Sequence, residues 1–182
     1  TAKPQIIDGR TKTATSEGAL ALHCHLPAHQ YAELSIANPF TQGDGDEISF
    51  EQSGFSATHC LVNGERRPFA EYIAEKKIDT RLPLVADYAG AMINACFRGT
   101  DAATQTVNLY GPIFPHQTYR FAAPLRDYVA DFNAAVPENA TNVVSTCNCI
   151  LNYLYSELEG KHTREYTGAF TFGEIAYVLL NQ

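Results

Sequence analysis

The sequence predicts an α+β fold with a mixed, largely antiparallel sheet and about three helices packed on it. Short runs rich in β-branched and aromatic residues are separated by turn signals, which is typical of strands joined by hairpins. Other stretches place apolar residues three and four positions apart, as amphipathic helices do. From residue 65 onward, helices are mixed with hairpin strands, and this order favours α+β over a parallel α/β sheet.

Length and composition indicate one globular domain. The chain has 182 residues, which is the size of a single domain. Hydrophobic residues make up 45% of the chain and charged residues 18%, so a core of ordinary size can form. The patterns are clearer in residues 65–182 than in residues 1–64. We therefore predict a single α+β domain over residues 1–182.

Charge and hydropathy argue against several classes of partner. The net charge is −7, and basic residues cluster only as the pairs Arg66–Arg67 and Lys76–Lys77, whereas nucleic acids require a basic surface. No apolar run approaches the roughly 20 residues of a membrane-spanning helix. The five cysteines are an odd number without the spacing of a secreted disulfide framework. We expect a cytoplasmic protein with no cofactor and no nucleic-acid or membrane partner.

The region before residue 82 combines short strands with one helix. Asn63-Gly64 is a strong signal for a two-residue hairpin turn. Pro68 suits the first turn of a helix, whose apolar face begins at Phe69 and continues to Lys77. The strands predicted in this region are Ala32–Ala37, Ile48–Phe50 and Phe55–Val62.

Two groups of polar residues in this region are candidates for a metal site. His23 and His25 would share one face of a strand, but Pro27 ends that strand and no pair has the spacing of a structural zinc site. Asp44, Asp46 and Glu47 belong to the loop NPFTQGDGD and its end, which lack the ligand spacing of a calcium loop. We interpret the acids as a solvated turn and predict no metal site.

The middle of the chain contains its longest apolar stretch. Leu82–Phe97 predicts a long buried strand that is bent or interrupted at Gly90. Asp87 lies inside this stretch, and a buried carboxylate must be paired, so it either anchors a loop or lines a pocket. Two further strands and a helix are predicted at Thr104–Tyr110, at Gln117–Ala122 and from Pro124 to Pro137.

The C-terminal segment carries the residues with the clearest functional character. We predict that a strand at Val143–Val144 leads through a turn, Ser145–Cys149, into a helix over Ile150–Glu159. A thiol at a turn into a helix has a lowered pKa, which makes it a better nucleophile or anion partner. A long strand follows over Ala169–Leu180, with Gly173 as a bend and Glu174 as an acid in apolar surroundings.

This segment resembles the C-terminal half of FIST domains, which are sensory, ligand-binding modules of bacterial signal-transduction proteins. The family pattern is a strand ending in Cys, a helix, and a Gly-aromatic-x-x-Gly-Glu strand followed by Asn. The stretch RLPLVADYAGAMINACFRG also resembles the recurring strand of that domain, so the resemblance covers about residues 65–182. Where family members have small residues and an Arg, this chain has Asn148 and Cys149, so the role of that Arg is not carried over. The matching residues are Cys147, Gly168, Phe170, Gly173, Glu174 and Asn181.

The favoured hypothesis is a sensory domain that binds a small molecule, such as an amino acid. Backbone N–H groups at the turn would receive a carboxylate, and Glu174 would receive an amino group; the resemblance implies a similar ligand class. The predicted ligand-binding residues are Cys147, Asn148, Cys149, Glu174, Asp87 and Tyr88.

Two alternatives remain open beside this hypothesis. A cysteine-dependent hydrolase or transferase would use Cys147 or Cys149 as nucleophile, with His116 or His162 as base. No local signature supports it, so an enzyme is the less favoured class. A structural or interaction protein is the other alternative, because ten Tyr and ten Phe residues could form a surface for a homo-oligomer or a signalling partner.

Overall fold

A computed structural model describes residues 3, 5–138, 142–164, 166–172, 174–176 and 179–181. The protein consists mainly of antiparallel sheets with helices packed against them, which confirms the predicted α+β class. The helices are α1 (Phe69–Lys76), α2 (Tyr128–Ala135) and α3 (Ile150–Tyr155). The strands are β1 (Ile6–Asp8), β2 (Thr13–Thr15), β3 (Ile48–Ser49), β4 (Gly54–Ala57), β5 (His59–Val62), β6 (Glu65–Pro68), β7 (Leu84–Tyr88), β8 (Ala91–Ala95), β9 (Phe97–Asp101), β10 (Thr106–Ile113), β11 (Tyr119–Phe121), β12 (Cys147–Cys149), β13 (Ala169–Thr171), β14 (Glu174–Ala176) and β15 (Leu179–Asn181).

The chain divides into two compact units, Thr1–Glu33 and Leu34–Gln182. The first unit contains the antiparallel hairpin of β1 and β2, followed by a stretch without regular structure. In that stretch His23 and His25 are exposed, with ring centroids 4.8 Å apart. The second unit contains all the other elements. The prediction of a single domain over residues 1–182 stays a prediction.

A six-stranded sheet in the order β6-β5-β3-β11-β7-β8 forms the centre of the second unit. The hairpin between β5 and β6 turns at Asn63 and Gly64, whose φ angles of 50° and 87° are the left-handed values that a two-residue turn requires. This confirms the predicted turn. The predicted strand over Ala32–Ala37 does not form, since those residues have no regular structure.

The stretch Leu82–Phe97 is a hairpin, so the predicted interruption at Gly90 is confirmed and the alternative of one bent strand is wrong. Strands β7 and β8 pair antiparallel around a turn at Ala89 and Gly90, whose φ angles are 56° and 98°. The Asp87 carboxylate accepts a hydrogen bond of 2.5 Å from the Gly90 N–H and so stabilises the turn. The turn takes only two residues, so the apolar residues on its two sides read as one continuous run in the sequence. The reversal of the chain direction is therefore not visible in the apolar pattern.

The main core lies between the six-stranded sheet, helix α1 and the three-stranded sheet β4-β10-β9. Phe50 contacts both Phe69 and Tyr119, with ring centroids 5.5 Å apart in each pair and near-perpendicular planes. These edge-to-face contacts are the favoured geometry for buried aromatic rings. Helix α1 begins directly after Pro68, as predicted, and buries Phe69 and Tyr72 in this core.

Helix α2 begins at Tyr128, four residues later than the predicted start at Pro124. The Asp127 carboxylate accepts hydrogen bonds from the N–H groups of Val129 and Ala130, and this N-cap fixes the first turn. The buried Tyr128 then packs in a second apolar cluster that includes Leu158. Within the described part of the chain, no helix is long and apolar enough to cross a membrane.

The C-terminal segment differs from its prediction in three ways. Val143 and Val144 are exposed and lie outside any strand, whereas the predicted turn contains strand β12, which pairs parallel with β13. Helix α3 ends at Tyr155 rather than at Glu159, because Glu157 has a left-handed φ of 52° and turns Leu158 back into the second cluster.

The third difference concerns the last strand. The predicted single strand over Ala169–Leu180 is divided into β13 and an antiparallel hairpin of β14 and β15. The predicted bend at Gly173 lies outside the described residues.

Candidate functional site

The predicted Cys147-Asn148-Cys149 site lies on β12, and two of its three side chains are engaged in the interior. Cys149 is only 3% exposed and packs with Cys96 and Leu151. The Asn148 side chain accepts a hydrogen bond of 2.9 Å from Asn152 Nδ2 and donates one of 3.4 Å to the Tyr128 hydroxyl. Cys147 is exposed. The segment therefore connects α3 to α2 through Asn148 and offers the thiol of Cys147 to solvent.

The helix that was expected to lower the cysteine pKa is short. Helix α3 contains six residues, and Cys149 at its N-cap makes no side-chain capping hydrogen bond. Because the helix dipole grows with the number of aligned peptide groups, a helix of this length provides little stabilisation for a thiolate.

The other predicted site residues lie in different surroundings. Asp87 is exposed and bonds to its own hairpin turn. The Tyr88 hydroxyl lies 3.0 Å from the Tyr119 hydroxyl, and burial raises the Tyr88 pKa. These contacts stay within the central sheet and do not involve the β12 segment. Glu174 begins β14, where its backbone pairs with Asn181, and its side chain lies outside the described part of the structure.

A groove that sequence reasoning did not predict lies between the loop of residues 42–46, helix α1 and residues 121–124. Its volume is about 610 Å³, and it opens to solvent. We name it the Asp46 groove. Its wall carries the side chains of Asp44, Asp46, Tyr72 and Lys76, and its apolar surface comes from Ile78 and Phe121.

Backbone and guanidinium contacts hold the loop against the sheet. The Gly43 N–H donates to the Phe121 carbonyl, and the Ala123 N–H donates to the Thr41 carbonyl, both at 2.9 Å. A Cβ at Gly43 would lie 3.0 Å from the Phe121 carbonyl oxygen, so a side chain here would require the backbone to shift by a few tenths of an ångström. Arg120 donates to the Gly45 carbonyl at 2.6 Å and to Glu47, which fixes the far end of the loop.

The Asp46 carboxylate is held in one orientation by two hydrogen-bond donors and one cation. Asn63 Nδ2 donates to Oδ1 at 2.8 Å, and the Tyr72 hydroxyl donates to Oδ2 at 3.0 Å. Lys76 Nζ lies 3.7 Å from Oδ2, which is an ion pair longer than a hydrogen bond. The hydrogen bond from Asn63, followed by that from Tyr72 and the charge of Lys76, lowers the Asp46 pKa. Burial and the bond to Asp46 raise the Tyr72 pKa to about 12, so at neutral pH the carboxylate is ionised and the phenol is a donor.

The loop is solvent-exposed at Asp44 and Glu47, as the interpretation of a solvated turn predicts, whereas Asp46 is partly covered. Asp46 is 31% exposed, but its hydrogen-bond partners lie 17 and 26 residues further along the chain. No local pattern could have indicated them, since the Asn63 turn and helix α1 approach the loop only through tertiary folding. The sequence signal that could have directed attention to this loop is the string Gly-Asp-Gly-Asp at residues 43–46.

A second cavity, of about 440 Å³, lies beside strand β3. It contains His116, whose φ of 66° is a left-handed conformation uncommon for a residue other than glycine. The described residues that line it include Ser49 and Thr118, which carry hydroxyl groups, and Glu51, which carries a carboxylate. Neither predicted cysteine nucleophile is among these lining residues. Glu51 also accepts a hydrogen bond of 3.2 Å from Arg66.

The described residues contain no group of three or more His, Cys, Asp or Glu side chains placed to hold a metal ion. The Asp46 groove carries the carboxylates of Asp44 and Asp46. Two carboxylates and one ammonium group give it a net negative charge, and the fixed Asp46 oxygens are available as hydrogen-bond acceptors.

Comparison with known proteins identifies the family of the chain and nothing beyond it. No curated protein and no solved structure matches the chain. The match of a family model over residues 1–182 does not bear on the resemblance to FIST domains, which stays a prediction. Since that match extends over the whole chain, the protein belongs to DUF6976, a family of unknown function.

Proposed function

We propose that the protein is a sensory domain that binds a small molecule in the Asp46 groove. The observation that carries this proposal is the carboxylate of Asp46, held by Asn63, Tyr72 and Lys76 at the wall of an open groove. The groove volume of about 610 Å³ lies within the range of small-molecule sites, which is roughly 300–1,000 Å³. Its lining combines the charged side chains of Asp44, Asp46 and Lys76 with apolar surface from Ile78 and Phe121.

The fixed orientation of Asp46 favours binding over a purely structural role. A carboxylate that is already oriented loses little side-chain entropy when a ligand binds, so more of the contact energy becomes affinity. Asn63 and Tyr72 provide this orientation from outside the loop, one from the hairpin turn after β5 and one from α1.

The role in signal transduction is supported by the resemblance to FIST domains. In this proposal the groove takes the place of the predicted pocket around β12, because Asn148 and Cys149 are engaged in packing. An amino acid, the ligand class expected from the sequence, suits a groove that contains both carboxylates and the ammonium group of Lys76. The downstream partner would be a second signalling domain or another copy of the chain.

A thermal-shift screen of amino acids, amines and carboxylic acids against the purified protein tests the proposal. A ligand at one hundred times its Kd should raise Tm by about 5–10 °C, because binding to the folded state alone adds about 2.7 kcal/mol of stability. Asp46→Asn should abolish the shift, measured against the baseline of that variant. Asp101→Asn is the matched control, since Asp101 is an exposed, hydrogen-bonded acid elsewhere in the fold. An undiminished shift in Asp46→Asn would contradict the proposal.

The cysteine-enzyme alternative now depends on Cys147, because Cys149 is buried. A catalytic thiolate reacts with iodoacetamide at neutral pH much faster than an ordinary thiol does. Labelling followed by peptide mass spectrometry should therefore show no preference for Cys147 over the exposed Cys24 if the protein is a binding module. Selective, rapid labelling of Cys147 would favour the enzyme.

A further inference from the structure

We propose that residues 19–26 of two copies of the chain pair as antiparallel strands and hold the copies together as a dimer. We name these residues the Leu22 segment. The segment belongs to the first unit, whereas the residues of the Asp46 groove belong to the second, so this proposal is independent of the proposed function. The dimer follows from the apolar pattern of the segment, its exposure and its lack of charge.

The Leu22 segment alternates like a strand with one apolar face. Its large apolar side chains and its thiol occupy every second position, so on a strand they would share one face. They are Leu20, Leu22, Cys24 and Leu26. In the structure, residues 19–27 are exposed and belong to no described strand. The segment therefore has the pattern of a strand and, within the described part of the chain, no strand to pair with.

The first unit has no core that covers these side chains. None of its described residues is buried, and Leu20 and Leu22 are 82% and 89% exposed. Folded units below about 40 residues usually need a disulfide, a metal or association with another chain. This unit, Thr1–Glu33, has Cys24 as its single cysteine, and its described residues contain no group of three or more metal-ligating side chains. Association is the remaining way to cover its apolar side chains.

The charge of the segment suits a second copy of itself. Residues 18–32 contain no Asp, Glu, Lys or Arg, although the chain carries a net charge of −7. Two copies with the same net charge repel each other, and an uncharged segment is where this repulsion opposes contact least. A two-fold axis brings the same surface of both copies together, so the apolar face of one segment meets the identical face of the other.

One register pairs every apolar residue of the segment. When the two His23 residues lie opposite each other, Leu20 faces the partner's Leu26 and Leu22 faces the partner's Cys24. Cross-strand pairs of this kind stabilise a sheet, and the antiparallel ladder also provides partners for the backbone N–H and C=O groups.

The exposed apolar area of the first unit is of the size that a dimer requires. Ile7, Leu20, Leu22 and Tyr31 are each more than 70% exposed. Covering one such side chain removes on the order of 100 Å² from water, so two copies offer roughly 800 Å². The paired backbones add to this area, and a specific interface needs about 1,000 Å² in total.

Sedimentation velocity of the full chain, up to about 100 μM, tests the dimer, because this concentration detects interfaces at the small end of the specific class. We expect the wild type to dimerise. Leu22→Glu should raise the Kd of the dimer at least about a hundredfold, since each dimer loses two leucine contacts. Val144→Glu is the matched control, because Val144 is a 96% exposed apolar residue of the second unit, and it should leave the Kd unchanged. Leu22 is exposed within its own chain, so the variant should unfold in urea at the wild-type midpoint.

Disulfide cross-linking tests the strand pairing itself. The background carries Ser in place of the exposed Cys24 and Cys147. Directly opposite residues of antiparallel strands have Cα atoms about 4.5–5.5 Å apart, which is within the range of a disulfide. His23→Cys in this background should therefore give a covalent dimer on mild oxidation. Ser16→Cys, outside the segment, should not.

The contrary outcomes are equally specific. A wild type that stays monomeric, or equal effects of Leu22→Glu and Val144→Glu on the Kd, would overturn the dimer through this segment. A dimer in which His23→Cys does not cross-link would overturn the antiparallel pairing. Chymotrypsin should cleave the segment faster in Leu22→Glu than in the wild type. Equal protection of the segment in that monomeric variant would mean that its own chain covers it, and this would also overturn the proposal.

Discussion

Replacing Tyr72 by Phe isolates the hydrogen bond that orients Asp46. The phenol ring is buried in the core between helix α1 and the sheet, and Phe preserves that packing. The substitution removes only the hydroxyl, which donates to Asp46 Oδ2 at 3.0 Å. Asp46 keeps its bond from Asn63 and its ion pair with Lys76, so no buried charge is left unpaired.

The expected cost follows from the kind of bond and its exposure. Hydrogen bonds to charged groups contribute about 1.5–3 kcal/mol, and neutral ones about 0.5–1.5 kcal/mol. Asp46 is 31% exposed, so water can replace the lost donor. The cost should therefore lie near the value at which the two ranges meet. We expect Tyr72→Phe to lower the free energy of unfolding by about 1–2 kcal/mol at pH 7.

A double-mutant cycle with Asp46→Asn assigns this cost to the pair. Urea denaturation of the wild type, both single variants and the double variant should give a coupling energy of about 1 kcal/mol. The control cycle uses Tyr88→Phe with Asp46→Asn, because the Tyr88 hydroxyl contacts Tyr119 instead. That cycle should give no coupling beyond the usual error of about 0.3–0.5 kcal/mol.

Equal coupling in the two cycles would refute the assignment of the Tyr72 hydroxyl to Asp46. Zero coupling in the first cycle, together with a large effect of Tyr72→Phe alone, would refute it as well. In that case the hydroxyl would stabilise the fold through another partner, and the proposed site would lose its orienting group.

Four further predictions concern other positions. The Tyr72 pKa is raised from 10.0 to about 12, so the stability it contributes is complete below pH 10 and lost as pH rises through 12; Tyr72→Phe should flatten the decline of unfolding free energy between these values. Asp127→Ala removes the N-cap of α2 and should cost about 1 kcal/mol, a fall in Tm of about 2–4 °C, whereas Asp127→Asn should restore most of it. Gly64→Ala places a Cβ at a φ of 87° in open space, so backbone strain alone should cost about 1–2 kcal/mol in urea denaturation. In Gly168→Ala a Cβ would overlap the carbonyl oxygen of Thr146, so β12 and β13 should separate and the amides of β12 should exchange hydrogen faster; unchanged exchange would contradict this packing.

Local signals predicted the elements that depend on a few neighbouring residues. Asn63-Gly64 specified a hairpin turn because its two left-handed φ angles suit Asn and Gly. Pro68 and the apolar residues after it specified α1, because the fixed φ of proline, here −61° at the N-cap, suits the entry into a helix. These features require no information from distant parts of the chain.

Predictions failed where distant contacts decide the local structure. The run Leu82–Phe97 has the composition of one strand, and only pairing between its two halves makes it a hairpin. The apolar pair Val143–Val144 suggested a buried strand, but the partner strand β13 pairs with Cys147–Cys149 instead. The periodicity of apolar residues indicates only which residues tend to be buried. Which strand pairs with which is decided by the packing of the whole fold.

The sequence by itself determined the α+β class, the hairpin turn at Asn63 and the start of α1, because each depends on local backbone preferences. Only the tertiary structure made Asp46 a candidate binding residue. Its loop is short and polar, and its donors come from Tyr72 on a helix and from Asn63 on a turn elsewhere in the chain. A carboxylate acquires a fixed orientation and a lowered pKa from groups that surround it in space, and sequence order does not record which groups those are.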